Sequence, residues 1–349
     1  MKRLLIFAAA LCAAPALFAY NPPAGGQSMF VLSSPTQLTS ASSAAGGGIF
    51  APGPDSIAFN PALPAHEQRT QLDADFTALI SPDDSGSPFH SAFQTGILIP
   101  TKLFVISSML NGVFCSADDM NLGNSLNAKV GLSKEVSERL SVGLALSGGG
   151  LWGAGSDWAL GVDVGVLYRR ERLGFLKDFR IGVSLLNLGK YYSTELLGID
   201  AAHRSDSFPA LATLRAGVAS LLFETDVVCG GFSFDISAPT FQNAVFDVGF
   251  QVGFKDVFFV SVAESIDVRE AVEGHYNFMP AVGLGVKFNF SAKNSAYLRS
   301  RSWDTSEMLV SAAWQQRYES VQAVSAGLKI KLGQKDTQPP VIQIWNGEN

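Results

Sequence analysis

The sequence predicts an all-β fold: an antiparallel transmembrane barrel of about fourteen strands, with an N-terminal segment housed in its lumen. Three observations lead there. The chain opens with an export signal; only 16% of its 349 residues are charged, at a mean hydropathy of +0.20; and its apolar residues recur with a period of two. Soluble domains carry about a quarter of their residues charged. Beyond the export signal no apolar run reaches the ~18 residues that a membrane helix needs. The apolar surplus therefore lies in short pieces, as in a membrane barrel.

The first element is the signal. Met1-Lys2-Arg3 is basic, Leu4 to Leu17 is apolar apart from Cys12 and Pro15, and Ala14, Ala16 and Ala19 are small. That order marks residues 1–19 as a secretory signal peptide, cleaved after Ala16 or Ala19. Lipidation at Cys12 is disfavoured, because Leu11 stands where a small residue belongs. Export leaves Cys115 and Cys229, which form one disulfide or remain two thiols, with no CxxC spacing. A net charge of −6 and a pI of about 5.3 provide no footprint for nucleic acid.

Residues 20–68 differ from everything after them. Ser40-Ala-Ser-Ser-Ala-Ala-Gly-Gly-Gly48 and Ala51-Pro-Gly-Pro54 have the composition of a flexible linker. Against that, Ile57-Ala-Phe-Asn-Pro-Ala-Leu63 is apolar enough to pack on something. Pro61 fixes φ and lacks a donor, and Asn60 is able to cap its own backbone in a tight turn.

From Thr70 onward the alternation sets in. Leu126, Ala128, Val130 and Leu132 alternate with Asn127, Lys129, Gly131 and Ser133. Phe246, Val248, Phe250, Val252 and Phe254 alternate with Asp247, Gly249, Gln251 and Gly253. Successive strand side chains point to opposite faces, so each segment has one bulky apolar face and one small or polar face. Strands are expected near 70–80, 90–99, 102–111, 124–133, 139–149, 157–169, 178–189, 210–222, 227–237, 243–254, 256–265, 278–290, 306–315 and 321–332. Connections at 81–89, 112–123, 190–209 and 266–277 are long and fall on the extracellular side if the N-terminus is periplasmic. The connection at 291–305 is long where a short one is expected: it hides a strand near Ala296–Ser300 or is an enlarged turn. Gly148-Gly-Gly150 is placed between strands, without the following helix that phosphate binding requires.

The small polar face is too glycine-rich for a charged exterior. Trp158, Leu160, Val162, Val164, Val166 and Tyr168 line the opposite face. Ten residues at about 3.3 Å each, tilted near 40°, rise roughly 25 Å, the height of a lipid-facing band. The apolar face is therefore expected to meet lipid, with Trp158 and Tyr168 at the two interfaces. A lumen wider than that of about eight strands exceeds what its own side chains fill, and residues 20–68 are placed to plug it. The expected organisation is a signal peptide (1–19), a plug (20–68), a barrel (69–332) and a periplasmic tail (333–349).

With Ala44-Ala-Gly-Gly-Gly48, then Asp55-Ser-Ile-Ala-Phe-Asn-Pro-Ala62, then a barrel filling the rest, the chain resembles the FadL/TodX family of outer-membrane transporters, most closely its spirochaetal members. The resemblance implies that Asn60, Pro61 and Ala62 belong to an N-terminal hatch inside the barrel, together with Gly46, Gly47 and Gly48. It implies passive uptake of a hydrophobic small molecule such as a long-chain fatty acid, contact with outer-membrane lipid, insertion by the barrel-assembly machinery, and no cofactor. The tail after Leu332 and the extra prolines of the hatch depart from the family pattern. Some relatives serve as secretion scaffolds rather than transporters, which leaves a scaffold barrel as the alternative.

A transporter of amphipathic acids needs a cation for the carboxylate. Lys129 and Arg215 fall on polar strand faces near mid-depth, while Arg180 and Lys287 lie nearer the periplasmic end. Each is a candidate substrate ligand, or else a partner for a lumen acid such as Asp163, Asp235 or Asp247. Lys190 to Ile199 is a landing groove for an apolar ligand or a loop folded over the mouth. His66, His90, His203 and His275 have no metal-ligand spacing. No nucleophile elbow is present, so neither an enzyme nor a metal site is expected.

Overall fold

The computed structural model describes residues 34–41, 43–49, 52–82, 89–115, 122–192, 212–275, 278–291, 296–300, 303–318 and 320–333. The expected signal peptide, most of the 190–209 loop and the tail beyond Gly333 lie outside them.

Fourteen strands pair antiparallel with their chain neighbours and close through the first and last. They are β1 (Gln71–Ile80), β2 (Phe89–Pro100), β3 (Val105–Cys115), β4 (Gly123–Ser137), β5 (Leu140–Trp152), β6 (Ser156–Leu173) and β7 (Leu176–Lys190). The second half comprises β8 (Thr213–Glu224), β9 (Val228–Ala238), β10 (Val245–Phe254), β11 (Phe258–Asp267), β12 (Ala281–Ser291), β13 (Thr305–Gln316) and β14 (Gln322–Lys331). The third strand starts three residues later than its periodicity suggests, because Thr101 closes a turn: its hydroxyl donates to the Phe104 carbonyl at 2.6 Å.

Two expectations are corrected. Gly148-Gly-Gly150 lies within β5, not between strands, because Gly148 pairs with Ala128 on one side and Leu160 on the other. The 291–305 connection conceals no strand among its described residues. It is an enlarged turn carrying a one-turn helix at Ala296–Ser300.

The faces decide the environment. Leu144, Val164 and Phe250 point outward and are 47%, 42% and 40% exposed, whereas Asp163 on the same strand as Val164 is fully buried. Gln251 points inward and accepts a hydrogen bond from Ile49 N at 3.1 Å. A soluble barrel has the reverse arrangement. Trp158 and Tyr168 both face outward at the ends of the band, and the Lys190 ammonium sits 4.4 Å from the Trp158 ring centroid. Bulky side chains coat the outside while acids and amides line the inside, which is stable only where the outside meets hydrocarbon.

Cys115 and Cys229 are free thiols. Cys115 belongs to an apolar cluster inside the lumen, with Leu79, Val113, Leu151, Tyr192 and Leu38 of the N-terminal segment. The lumen wall is thus apolar around this cluster, and charged both at Asp73, Asp75 and Lys329 of β1 and β14 and at Arg215, Asp235 and Asp247 of β8–β10.

Candidate functional site

The N-terminal segment runs through the lumen in short helical turns, Gln37–Ala41, Pro54–Ala58 and Leu63–His66. Its approach to the wall depends on absent side chains. A Cβ on Gly143 would stand 2.2 Å from the Pro61 carbonyl, and one on Gly182 only 1.9 Å from the Ala44 oxygen. Of the three plug glycines, Gly46 adopts φ +78°, a left-handed conformation that suits glycine. Gly48 lies so close to Gly231 that a Cβ would fall 2.3 Å from its carbonyl carbon.

Asn60 is wholly buried. Its amide nitrogen donates to the Ala44 carbonyl at 2.8 Å and to the Val166 carbonyl at 3.0 Å, tying the plug to itself and to β6. Its side-chain oxygen accepts from Ala62 N at 2.9 Å, closing the turn around Pro61. Ser184 on β7 donates to the Phe59 carbonyl at 2.6 Å.

The sequence-derived cations are engaged by the protein itself. Arg215 bridges Asp235 and Asp247, each at 2.7 Å, and its guanidinium stacks 4.8 Å from the Phe59 ring centroid. Asp235 in turn accepts from the Ser43 hydroxyl and from Ala44 N, both at 2.5 Å, so this cluster clamps the plug. Arg180 donates to the Gly47 and Gly48 carbonyls at 2.6 and 3.2 Å. Lys129 pairs with Asp163, which also accepts from Asn187 N at 2.7 Å. Lys287 pairs with Asp256 in the β10–β11 turn.

Other anchors escaped the sequence reading. Asp55 of the plug is buried, accepts from Ser34 at 2.9 Å and pairs with Lys329 of β14 at 3.3 Å. Strand alternation carried the signal, since Lys329 falls between the outward Leu328 and Ile330. At the other end of the plug, His66 meets the Ser141 hydroxyl at 2.9 Å through Nε2 and pairs with Glu135 through Nδ1. That order of groups is the one a serine hydrolase uses. Ser141, however, is fully buried, and His66 ties the end of the plug to β4 and β5. The trio serves as a latch.

Above the plug the lumen opens into a chamber of about 230 Å³. Connections following odd-numbered strands contribute Tyr191, Pro239, Glu270 and Arg317, so it faces the end opposite the chain's entrance to β1. Leu38, Phe59, Met109, Leu186 and Tyr318 supply apolar surface to its lining, and Lys129, Arg215, Asp247 and Glu264 supply charged groups. Three buried polar atoms in its lining have no hydrogen-bond partner: Asn127 Nδ2, Gln315 Oε1 and Arg317 Nε. Burial pushes the Arg317 guanidinium below its ordinary pKa, more than Asp247, Glu270 and Glu264 raise it. Buried polar groups are normally satisfied, so these orphans mark a place for a polar visitor. Sequence pattern offered no clue to Arg317, which sits in a connection.

Fold and lumen together define a plugged fourteen-stranded barrel with a lipid-compatible exterior. Among solved structures, the chain is similar in fold to the toluene transporter TbuX of Ralstonia pickettii, with a TM-score of 0.52 at 11% identity, covering 85% of this chain and 97% of that one. It is also similar to the toluene transporter TodX of Pseudomonas putida, with a TM-score of 0.50 at 9% identity, covering 84% and 96%. A TodX deltaS2S3 mutant, titled a monoaromatic hydrocarbon channel, gives 0.51 at 10% identity, covering 86% and 98%. No family model matches the chain, and no curated protein matches it in sequence.

Proposed function

We propose that this protein is an outer-membrane channel for passive uptake of long-chain fatty acids or similar hydrophobic molecules, exported by a signal peptide at residues 1–19 and inserted by the barrel-assembly machinery. The observation that carries the reading is the mixed lining of the chamber: apolar side chains together with unpaired polar groups, set directly above a plug. Such a surface suits a molecule with an apolar body and one polar end. Arg317 and Asn127 meet that end, while Lys129 and Arg215, which also line the chamber, are held by Asp163, Asp235 and Asp247. Arg180 and Lys287 lie outside the lining and act on the plug and the periplasmic rim. Passage requires the Asn60-Pro61-Ala62 turn and Gly46-Gly47-Gly48 to shift from their wall contacts, after which the ligand leaves on the periplasmic side. The names of the similar structures, toluene and monoaromatic hydrocarbon channels, favour an apolar substrate of this general kind.

The test is flux into proteoliposomes of a long-chain fatty acid, a neutral aromatic hydrocarbon and a small sugar. Faster entrance of either apolar solute than in protein-free vesicles, with the sugar excluded, is expected; no acceleration of either overturns the reading. A closed scaffold barrel is the second reading, favoured by the density of polar contacts holding the plug at Asp55, Asp235, Asn60 and His66. In that case all three solutes stay out.

A further inference from the structure

Below the lipid-facing band, the outer wall carries a group of cations with no acidic partner among the described residues. We propose that Arg170 and Arg172 of the β6–β7 hairpin form a binding site for the phosphodiester headgroup of an anionic phospholipid in the periplasmic leaflet. The site rests on the membrane reading above but not on transport.

The placement follows from β6, an eighteen-residue strand. Trp158, Leu160, Val164, Val166 and Tyr168 are exposed on its outer face, and the alternation carries on to Arg170 and Arg172, both exposed. Two and four residues past Tyr168, at about 3.3 Å each and tilted near 40°, put them roughly 5 and 10 Å beyond the aromatic interface. The headgroup layer on each side of a bilayer is about 5–7 Å thick. Arg170 therefore sits at phosphate depth and Arg172 at the layer's outer edge. The neighbouring β4–β5 turn joins this end of β6 through its backbone, the Arg139 carbonyl accepting from Arg169 N at 2.8 Å.

Two nearby acids are committed elsewhere. Asp178 pairs with Arg169 at 2.5 Å and Glu224 with Lys177 at 3.3 Å, while Glu171, between the two arginines in sequence, falls on the opposite face of the strand. Among the described residues no carboxylate pairs with Arg139, Arg170 or Arg172. A chain of net charge −6 thus concentrates unpaired guanidinium groups at the one depth where phosphates stand. The guanidinium fork matches two phosphate oxygens. Acyl chains below such a headgroup would lie on Val166, Val164 and Leu144 of the same wall. At the hairpin tip Phe175 is 78% exposed, a ring better accommodated on a leaflet surface than in water.

Native mass spectrometry tests the site. The full-length protein, folded in zwitterionic micelles, is offered equal amounts of phosphatidylglycerol and phosphatidylcholine. Wild-type protein is expected to retain phosphatidylglycerol preferentially. Arg170→Gln with Arg172→Gln should lower that preference about 30-fold, at ~1 kcal/mol for each cation near an anionic surface. The double Arg→Lys variant should keep part of it, since an ammonium retains the charge but not the fork. Heat-modifiable migration on gels identifies a variant that fails to fold, in which case Arg170→Gln alone carries the test with about a fivefold loss. Equal retention of the two lipids by wild type, or an unchanged preference in the glutamine variants, overturns the proposal. So does displacement of the lipid by excess inorganic phosphate, which would make this a free-anion site. Failure of wild-type protein to fold in any micelle or vesicle overturns the membrane reading and the lipid site together.

Discussion

Replacing Gly182 with alanine tests whether the plug is seated by backbone contact. The new Cβ would lie 1.9 Å from the Ala44 oxygen, about 1.1 Å short of the 3.0 Å that real Cβ atoms keep. Wall and plug backbone meet directly there, so no side chain can rotate away. A retreat of that size stretches the Ala44 N–Asp235 bond from 2.5 Å and the Asn60–Ala44 bond from 2.8 Å past the range of hydrogen bonding. One of these bonds is to a carboxylate, so the two together are worth roughly 3 kcal/mol. At 1.4 kcal/mol per factor of ten, the fraction of barrels with a displaced plug rises about a hundredfold. Single-channel conductance in planar bilayers, with osmotic swelling of vesicles in a small sugar, reads that fraction. Gly148→Ala is the control, because its Cβ would meet nothing closer than the Leu160 side chain at 3.7 Å. If Gly182→Ala conducts no more than Gly148→Ala, close contact does not hold the plug.

Further outcomes follow from the same geometry. Lys329→Met removes the cation shared by buried Asp55 and the neighbouring β1 acids, and is expected to lower stability by about 3–5 kcal/mol. Urea-dependent folding into micelles checks this, with Asp55→Asn, which leaves fewer uncompensated charges, costing less. Arg317→Gln should slow fatty-acid flux about tenfold, through loss of one charged hydrogen bond of ~1.5 kcal/mol, while neutral hydrocarbon flux changes little; equal slowing of both would deny Arg317 a role in recognising charge. Leu144→Arg on the outer wall should cost about 2–4 kcal/mol of folding energy in vesicles if it lies near mid-bilayer. A variant that instead becomes soluble and stays stable would contradict the lipid-facing assignment.

Strand number and face were legible in the sequence because both are short-range properties. A side chain on a strand points opposite to its neighbour whatever the rest of the chain does. Val164 and Asp163 therefore separate into outside and inside from alternation alone. The turn at Asn60-Pro61 was legible for the same reason, since the Ala62 N–Asn60 bond spans two residues. Alternation also carried Lys329 to the inner face, though nothing local pairs it with Asp55, 274 residues away.

Partner choice belongs to the closed barrel. Arg215 and Lys129 were recognisable as inward cations, yet only the register of β8 on β9 and of β4 through β5 to β6 brings Asp235 and Asp163 to them. The glycines that admit the plug carry meaning only once Ala44 and Pro61 lie against them. Arg317, in a connection without periodicity, became visible when the chamber formed around it. The local chain thus determined which elements form and which way they face. Closure of the sheet decided which groups meet, because contacts between residues far apart in sequence depend on the position of every strand between them.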